Sequence, residues 1–210
     1  MQNIVFLAAA LLLAGCQSAY YSAAEQVGYH KRDILVDRVE SSRDAQEAAQ
    51  EQFGSALEQL SSLVNFDGGD LEDAYDDLAE EYERSDAAAA EVSRRIDDVD
   101  DVATALFEEW QEEIEDYSSA RLKADSAAKL RETRRRYDSM LSAMRRSEAK
   151  MAPVLTAMND NVMYLKHNLN ARAVASLKVE FGAIEGQIEA LIREMNAAIA
   201  SSDAFIDSMQ

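Results

Sequence analysis

The strongest constraint on this chain is a run of side chains spaced four, three, four, three between residues 71 and 110. Leu71, Tyr75, Leu78, Tyr82, Ser85, Ala89, Val92, Ile96, Val99, Ala103, Leu106 and Trp110 keep that spacing without a break. A mean period of 3.5 residues is the a/d seam of a helix that packs against another along its whole length. Toward the end Glu113 falls out of register and Ile114 replaces it, while Val102 and Phe107 widen the stripe. A wider stripe calls for more than one neighbouring helix. At a rise of 1.5 Å per residue, Asp70 to Asp116 spans about 70 Å. The seam therefore predicts a rod.

The remaining sequence supplies partners for it. A first segment, from about Ala24 to Val64, carries Val27, Ile34, Leu35, Val39, Phe53, Leu57, Leu60 and Val64 at helical spacing. A third begins near Arg121 and carries Leu122, Leu130, Tyr137, Leu141, Met144, Met151, Leu155, Met158, Val162 and Leu165. The last shows Val174, Leu177, Phe181, Ile184, Ile188, Leu191, Met195, Ile199 and Ile206. Gly182 and Gly186 stand i, i+4 on it and would let another helix approach closely. Three stretches read as turns. NFDGGDLED (Asn65 to Asp73) has two adjacent glycines and an N-capping Asp70. Its aspartates lack the spacing and distal glutamate of a calcium loop. Tyr117 to Ala120 is short and polar. KHNLNARA (Lys166 to Ala173) is rich in asparagine, a weak helix former and a good cap. Pro153 predicts a kink, or a break with the proline in the first turn of a new helix. No strand pattern appears.

The fold class is accordingly all-α, an elongated antiparallel bundle or coiled coil of three to four long helices, in one domain over residues 24–210. Two arrangements remain open. Four segments can run up-down-up-down. Alternatively, Arg121 to about Ser201 is one kinked helix lying along the first two placed end to end. The choice rests on whether residues 166–173 turn.

Charge is distributed unevenly. The formal net charge is −19. From Asp67 to Asp116 there are 21 acids and 3 bases, whereas Arg121 to Lys150 holds 10 bases and 4 acids. So acidic a chain repels nucleic acid and anionic head groups. An acidic helix followed by a basic one after a short turn predicts antiparallel neighbours whose charges select register.

The N-terminus gives an address. Ile4 to Ala14 is an uncharged run, too short to span a bilayer and of the length of a signal-peptide apolar region. It ends in Leu13-Ala14-Gly15-Cys16, which reads as a lipobox. Residues 1–15 are then a lipoprotein signal peptide, and Cys16, the only cysteine, is the lipidation site. Met1-Gln2-Asn3 departs from the pattern in holding no Lys or Arg. Residues 16–23 form a short tether. Two or more acyl chains, palmitate among them, give stable anchoring where one does not. With Gln17 rather than an aspartate after the cysteine, the expectation is a periplasm-facing protein of the outer membrane. Tyr20 and Tyr21 sit where they can rest at the headgroup level or pack on the helix base.

Sites of chemistry are harder to find. No serine elbow, P-loop, dinucleotide fingerprint or Glu-x-x-His pair occurs. His30 and His167 lack ligand spacing. No catalytic, cofactor or metal residues are assigned, and the expectation is not an enzyme. KLRETRRRY (Lys129 to Tyr137) packs five bases into nine residues. It can pair internally with the acidic helix or meet an acidic envelope partner. The acidic doublets Asp76-Asp77, Glu80-Glu81, Asp97-Asp98, Asp100-Asp101, Glu108-Glu109 and Glu112-Glu113 read as a solvated face. The alternative is a binding face for divalent cations or cationic peptides.

The stretches GCQSAYYSAAEQVGYHKRDILVDRVE, NFDGGDLED, KLRETRRRY and YLKHNLNARA together resemble a bacterial lipoprotein family, domain of unknown function 2959. The resemblance covers essentially the whole chain. It implies an envelope location and a helical body, and carries no catalytic residues. The expected function is a scaffold, spacer or docking module, held to the membrane by its lipid anchor. An envelope protein partner is expected, nucleic acid is not, and self-association is open.

Overall fold

The structure, a computed structural model, describes residues 30–65 and 71–210. Four helices account for nearly all of them: α1 (Lys31–Val64), α2 (Leu71–Asp116), α3 (Ala120–Lys166) and α4 (Ala171–Met209). There is no strand among the described residues. The helices form a ring in chain order, α1 against α2 and α4, and α3 against α2 and α4. Neighbours are antiparallel. Lys31 at the start of α1 meets Glu109 near the end of α2, and Arg43 early in α1 meets Asp203 late in α4. Arg146 of α3 likewise reaches Glu194 of α4. This is the up-down-up-down bundle.

The turn at 167–170 decides against one long kinked helix. Asn170 is extended, and its side chain accepts from the backbone N–H groups of Arg172 and Ala173, so α4 has its own N-cap. α3 starts on Ser119, whose side chain accepts from the Leu122 N–H. The expected start of the first helix at Ala24 lies outside the described residues, in which α1 opens at Lys31. His30 is extended at φ −80°, ψ 147°, and its carbonyl accepts from Asp33 and Ile34, which makes Lys31 the first helical residue. An acid in the first turn, Asp33, favours a start there. The expected caps in Phe66 to Asp70 lie outside the described residues.

Pro153 breaks nothing: α3 runs through it. Its ring lies on an exposed face, between buried Met151 and Val154. The acceptor it leaves unbonded, the carbonyl of Ala149, belongs to an exposed residue and can meet water. The close approach that Gly182 and Gly186 would allow is not used. A Cβ built at either meets nothing within 4 Å, so no helix approaches there. Both are exposed, because the core stripe of α4 runs through Ile184, Ile188 and Leu191 instead.

The core is a continuous column from Ile114 and Leu130 at one end to Leu63 and Leu165 at the other. The α2 seam faces it from Leu78 through Ser85, Ala89, Val92, Ile96 and Val99 to Ala103, then widens to Val102, Phe107 and Ile114. A polar layer crosses the middle. Ser42, Gln46, Ser147 and Ser202 are fully buried. Across the ring, Ser42 Oγ donates to Met144 Sδ at 3.8 Å and Ser147 Oγ to Gln46 Oε1 at 3.2 Å, so diagonal helices α1 and α3 touch at the axis.

Candidate functional site

Cys16, with Tyr20 and Tyr21, lies outside the described residues, which leaves three places where polar chemistry gathers. The first is the α2–α3 seam, where the acidic and basic helices meet. Direct charge pairing across it is sparse. Arg145 reaches Asp97 at 2.7 Å and Lys123 reaches Glu115 at 2.6 Å. In KLRETRRRY, Lys129 pairs with Asp125 and Arg136 with Glu132, both within α3. Among the described residues, then, none of the five bases of KLRETRRRY forms the expected ion pair with an acid of α2. Four-residue spacing on one helix brings an acid nearer than the neighbouring helix does.

Other contacts hold the seam. Arg134 lays its guanidinium over the Phe107 ring, 5.3 Å from the centroid, and donates from Nη2 to the Phe107 carbonyl at 3.1 Å. Trp110 Nε1 donates to Ser126 Oγ at 2.9 Å. Tyr137 donates its hydroxyl proton to Asp100 at 2.7 Å, and its ring packs edge-on against Phe107 and Phe205. Burial first, and then the hydrogen bond to Asp100, push its phenol well above the usual tyrosine range.

The second place is the acidic face of α2. The doublets divide, because adjacent residues on a helix point about 100° apart. Glu81 is buried, which corrects its reading as a solvated residue. Its carboxylate accepts from Gln52 at 2.6 Å and Ser55 at 3.1 Å, and it pairs with Arg84. Asp77, Asp97, Asp100 and Glu109 each take a partner from a neighbouring helix. The other acids form a diffuse face. No three acidic, histidine or cysteine side chains converge to hold a metal ion among the described residues. His30 caps the start of α1 and His167 the end of α3, at opposite ends of the bundle.

The third place was not visible as a pattern. At the end where α1 starts and α4 stops, α2 and α3 continue. Glu109 is level with Lys31, and α2 runs on to Asp116. The step leaves a cup of about 480 Å³. Leu106, Trp110 and Met209 give it an apolar wall and floor. Arg32, Lys129 and Arg136 line it together with Glu109, Glu113 and Glu132, three bases against three acids. Spacing along one helix could not reveal it, since all four helices contribute.

No described helix is long and apolar enough to cross a membrane. No curated protein and no solved structure was found to match the chain. One family does match, over residues 20–209, and it is described as a protein of unknown function, DUF2959. That match takes in all four helices, and the chain belongs to this family.

Proposed function

We propose that this chain is a non-enzymatic envelope lipoprotein. Cys16 anchors it in the outer membrane of a Gram-negative bacterium, and its bundle faces the periplasm as a scaffold, spacer or docking module. One observation carries the reading: Leu13-Ala14-Gly15-Cys16 follows an eleven-residue apolar run. The fold is compatible with it. Fourteen residues separate Cys16 from Lys31, where α1 begins, so the tether reaches at most about 50 Å when fully extended. Long helices of 46 and 47 residues suit a rod that holds two things at a fixed distance.

The test has two arms. Cells fed an alkyne palmitate analogue should label the wild-type chain and not Cys16→Ser, and the label should sediment with outer-membrane density. An unlabelled wild type would overturn the anchor. In-cell crosslinking, read by mass spectrometry, should then yield a recurrent envelope partner that disappears in Cys16→Ser. Crosslinks confined to the chain itself would remove the docking role.

A further inference from the structure

We propose that the cup at the α1-start end binds a zwitterionic phospholipid headgroup, with its glycerol and upper acyl chains against Trp110. The choice of a lipid rests on the anchoring proposed above, which keeps this end of the bundle within about 50 Å of the bilayer. The rest comes from the cup itself.

In a chain of net charge −19 the cup's six charged side chains balance to zero. Four are already engaged: Glu109 with Lys31, Lys129 with Asp125, and Arg136 with Glu132. Among the described residues, Arg32 and Glu113 form no ion pair. One cation and one anion thus stand unpaired in the same cavity, which matches a ligand carrying both signs. A simple anion would meet three carboxylates, and a simple cation three bases. The wall between them is apolar, and the Trp110 ring is held there because its N–H is fixed by Ser126. An indole beside charged groups is the arrangement favoured at a membrane interface. In the proposed complex the phosphodiester meets Arg32 and the ammonium meets Glu113. The site takes no part in bond making or breaking.

Trp110 is the only tryptophan, so intrinsic fluorescence reports the cup directly. The full chain, held in amphipol, is titrated with dihexanoylphosphatidylethanolamine below its micelle concentration. The comparison probes are dihexanoylphosphatidylglycerol, which lacks the ammonium, and glycerophosphoethanolamine, which lacks the chains. The expected result is a saturable shift with the ethanolamine lipid. Binding should be weaker by about tenfold for either comparison probe, and for Arg32→Gln and Glu113→Gln with the ethanolamine lipid. Both variants change exposed side chains and keep the fold, which circular dichroism checks. Equal binding of the two lipids, or unaffected variants, overturns the zwitterion site. Equally tight glycerophosphoethanolamine overturns the lipid in favour of a soluble zwitterion. Cys16→Ser should bind as wild type does. A failure of palmitate labelling with this binding intact removes the anchor alone, and loss of this binding with labelling intact removes the cup alone.

Discussion

Tyr137 shows how much one side chain settles in a bundle of this kind. Its ring joins α2 to α4 through Phe107 and Phe205, and its hydroxyl ties α3 to Asp100. Because its phenol is raised by burial and by Asp100, the folded state keeps the proton where the unfolded chain loses it, above about pH 10. Stability from this group is complete below that pH and falls as the pH rises beyond it. Tyr137→Phe is expected to cost about 1 kcal/mol at neutral pH, since Asp100 loses its donor. The same variant should flatten the alkaline fall, as read by urea melts between about pH 8 and 11. Gln46 gives the opposite case. Its Nε2 is buried with no partner among the described residues. The single proton of Ser147 is shared between Gln46 Oε1 and the Met144 carbonyl, which lies closer at 2.7 Å. Turning the amide over would let it donate to Ser147 and leave its oxygen unpaired instead. Either way one polar atom is unsatisfied, so Gln46→Met should be neutral or stabilising by about 1 kcal/mol in the same melts. If the polar layer sets register, that gain will come with looser packing, visible as broadened methyl spectra.

At the level of the helix, α3 and α4 contain residues that weaken them without an intramolecular return. Gly182 and Gly186 meet no neighbour, and a mid-helix glycine is worse than alanine by about 0.5–1 kcal/mol. Each Gly→Ala change should therefore raise the melting temperature by about 2–4 °C per kcal/mol gained in a chain of this size. Pro153→Ala should do so as well, by restoring a donor toward the Ala149 carbonyl, less the entropy that proline removes from the unfolded chain. A fall in stability for the glycine variants would mean that the exposed face of α4 is covered in solution. The turns between helices are held more firmly. Asn170 satisfies two backbone donors of α4, and removing such a cap typically costs about 1 kcal/mol.

The whole molecule carries its charge as a field rather than as pairs. Most ion pairs here are exposed and lie within one helix, for example Arg94 with Glu91 and Asp98, or Arg193 with Glu189. Such pairs contribute little, about 0–1 kcal/mol each. The excess acid on α2 repels itself throughout the fold. Raising salt from about 0.05 M to about 0.5 M shortens the screening length to about 4 Å and should raise the melting temperature. A fall instead would show that the few cross-helix pairs, Arg145 with Asp97 above all, outweigh the repulsion.

What the chain alone determines is whatever has a period or a local cap. The seam from Leu71 to Trp110 names the buried face of α2 because a helix repeats every 3.6 residues and one side must leave water. Asparagines at 168 and 170 mark a turn because their side chains compete for backbone hydrogen bonds, Asn168 donating to the Tyr164 carbonyl and Asn170 accepting from Arg172 and Ala173. The lipobox proposed at Leu13 to Cys16 rests on equally local information, because a signal peptidase acts on a short stretch and not on a fold. Tertiary structure alone decides the rest. Nothing in the spacing says that Glu81 turns inward to Gln52 and Ser55 while Glu80 stays exposed, or that Gly182 faces open space. Nothing places Arg32 and Glu113, 81 positions apart, around one cavity. Those outcomes depend on where helices stop relative to one another. That offset is set by the packing of whole faces and caps summed along four helices, not by any one of them.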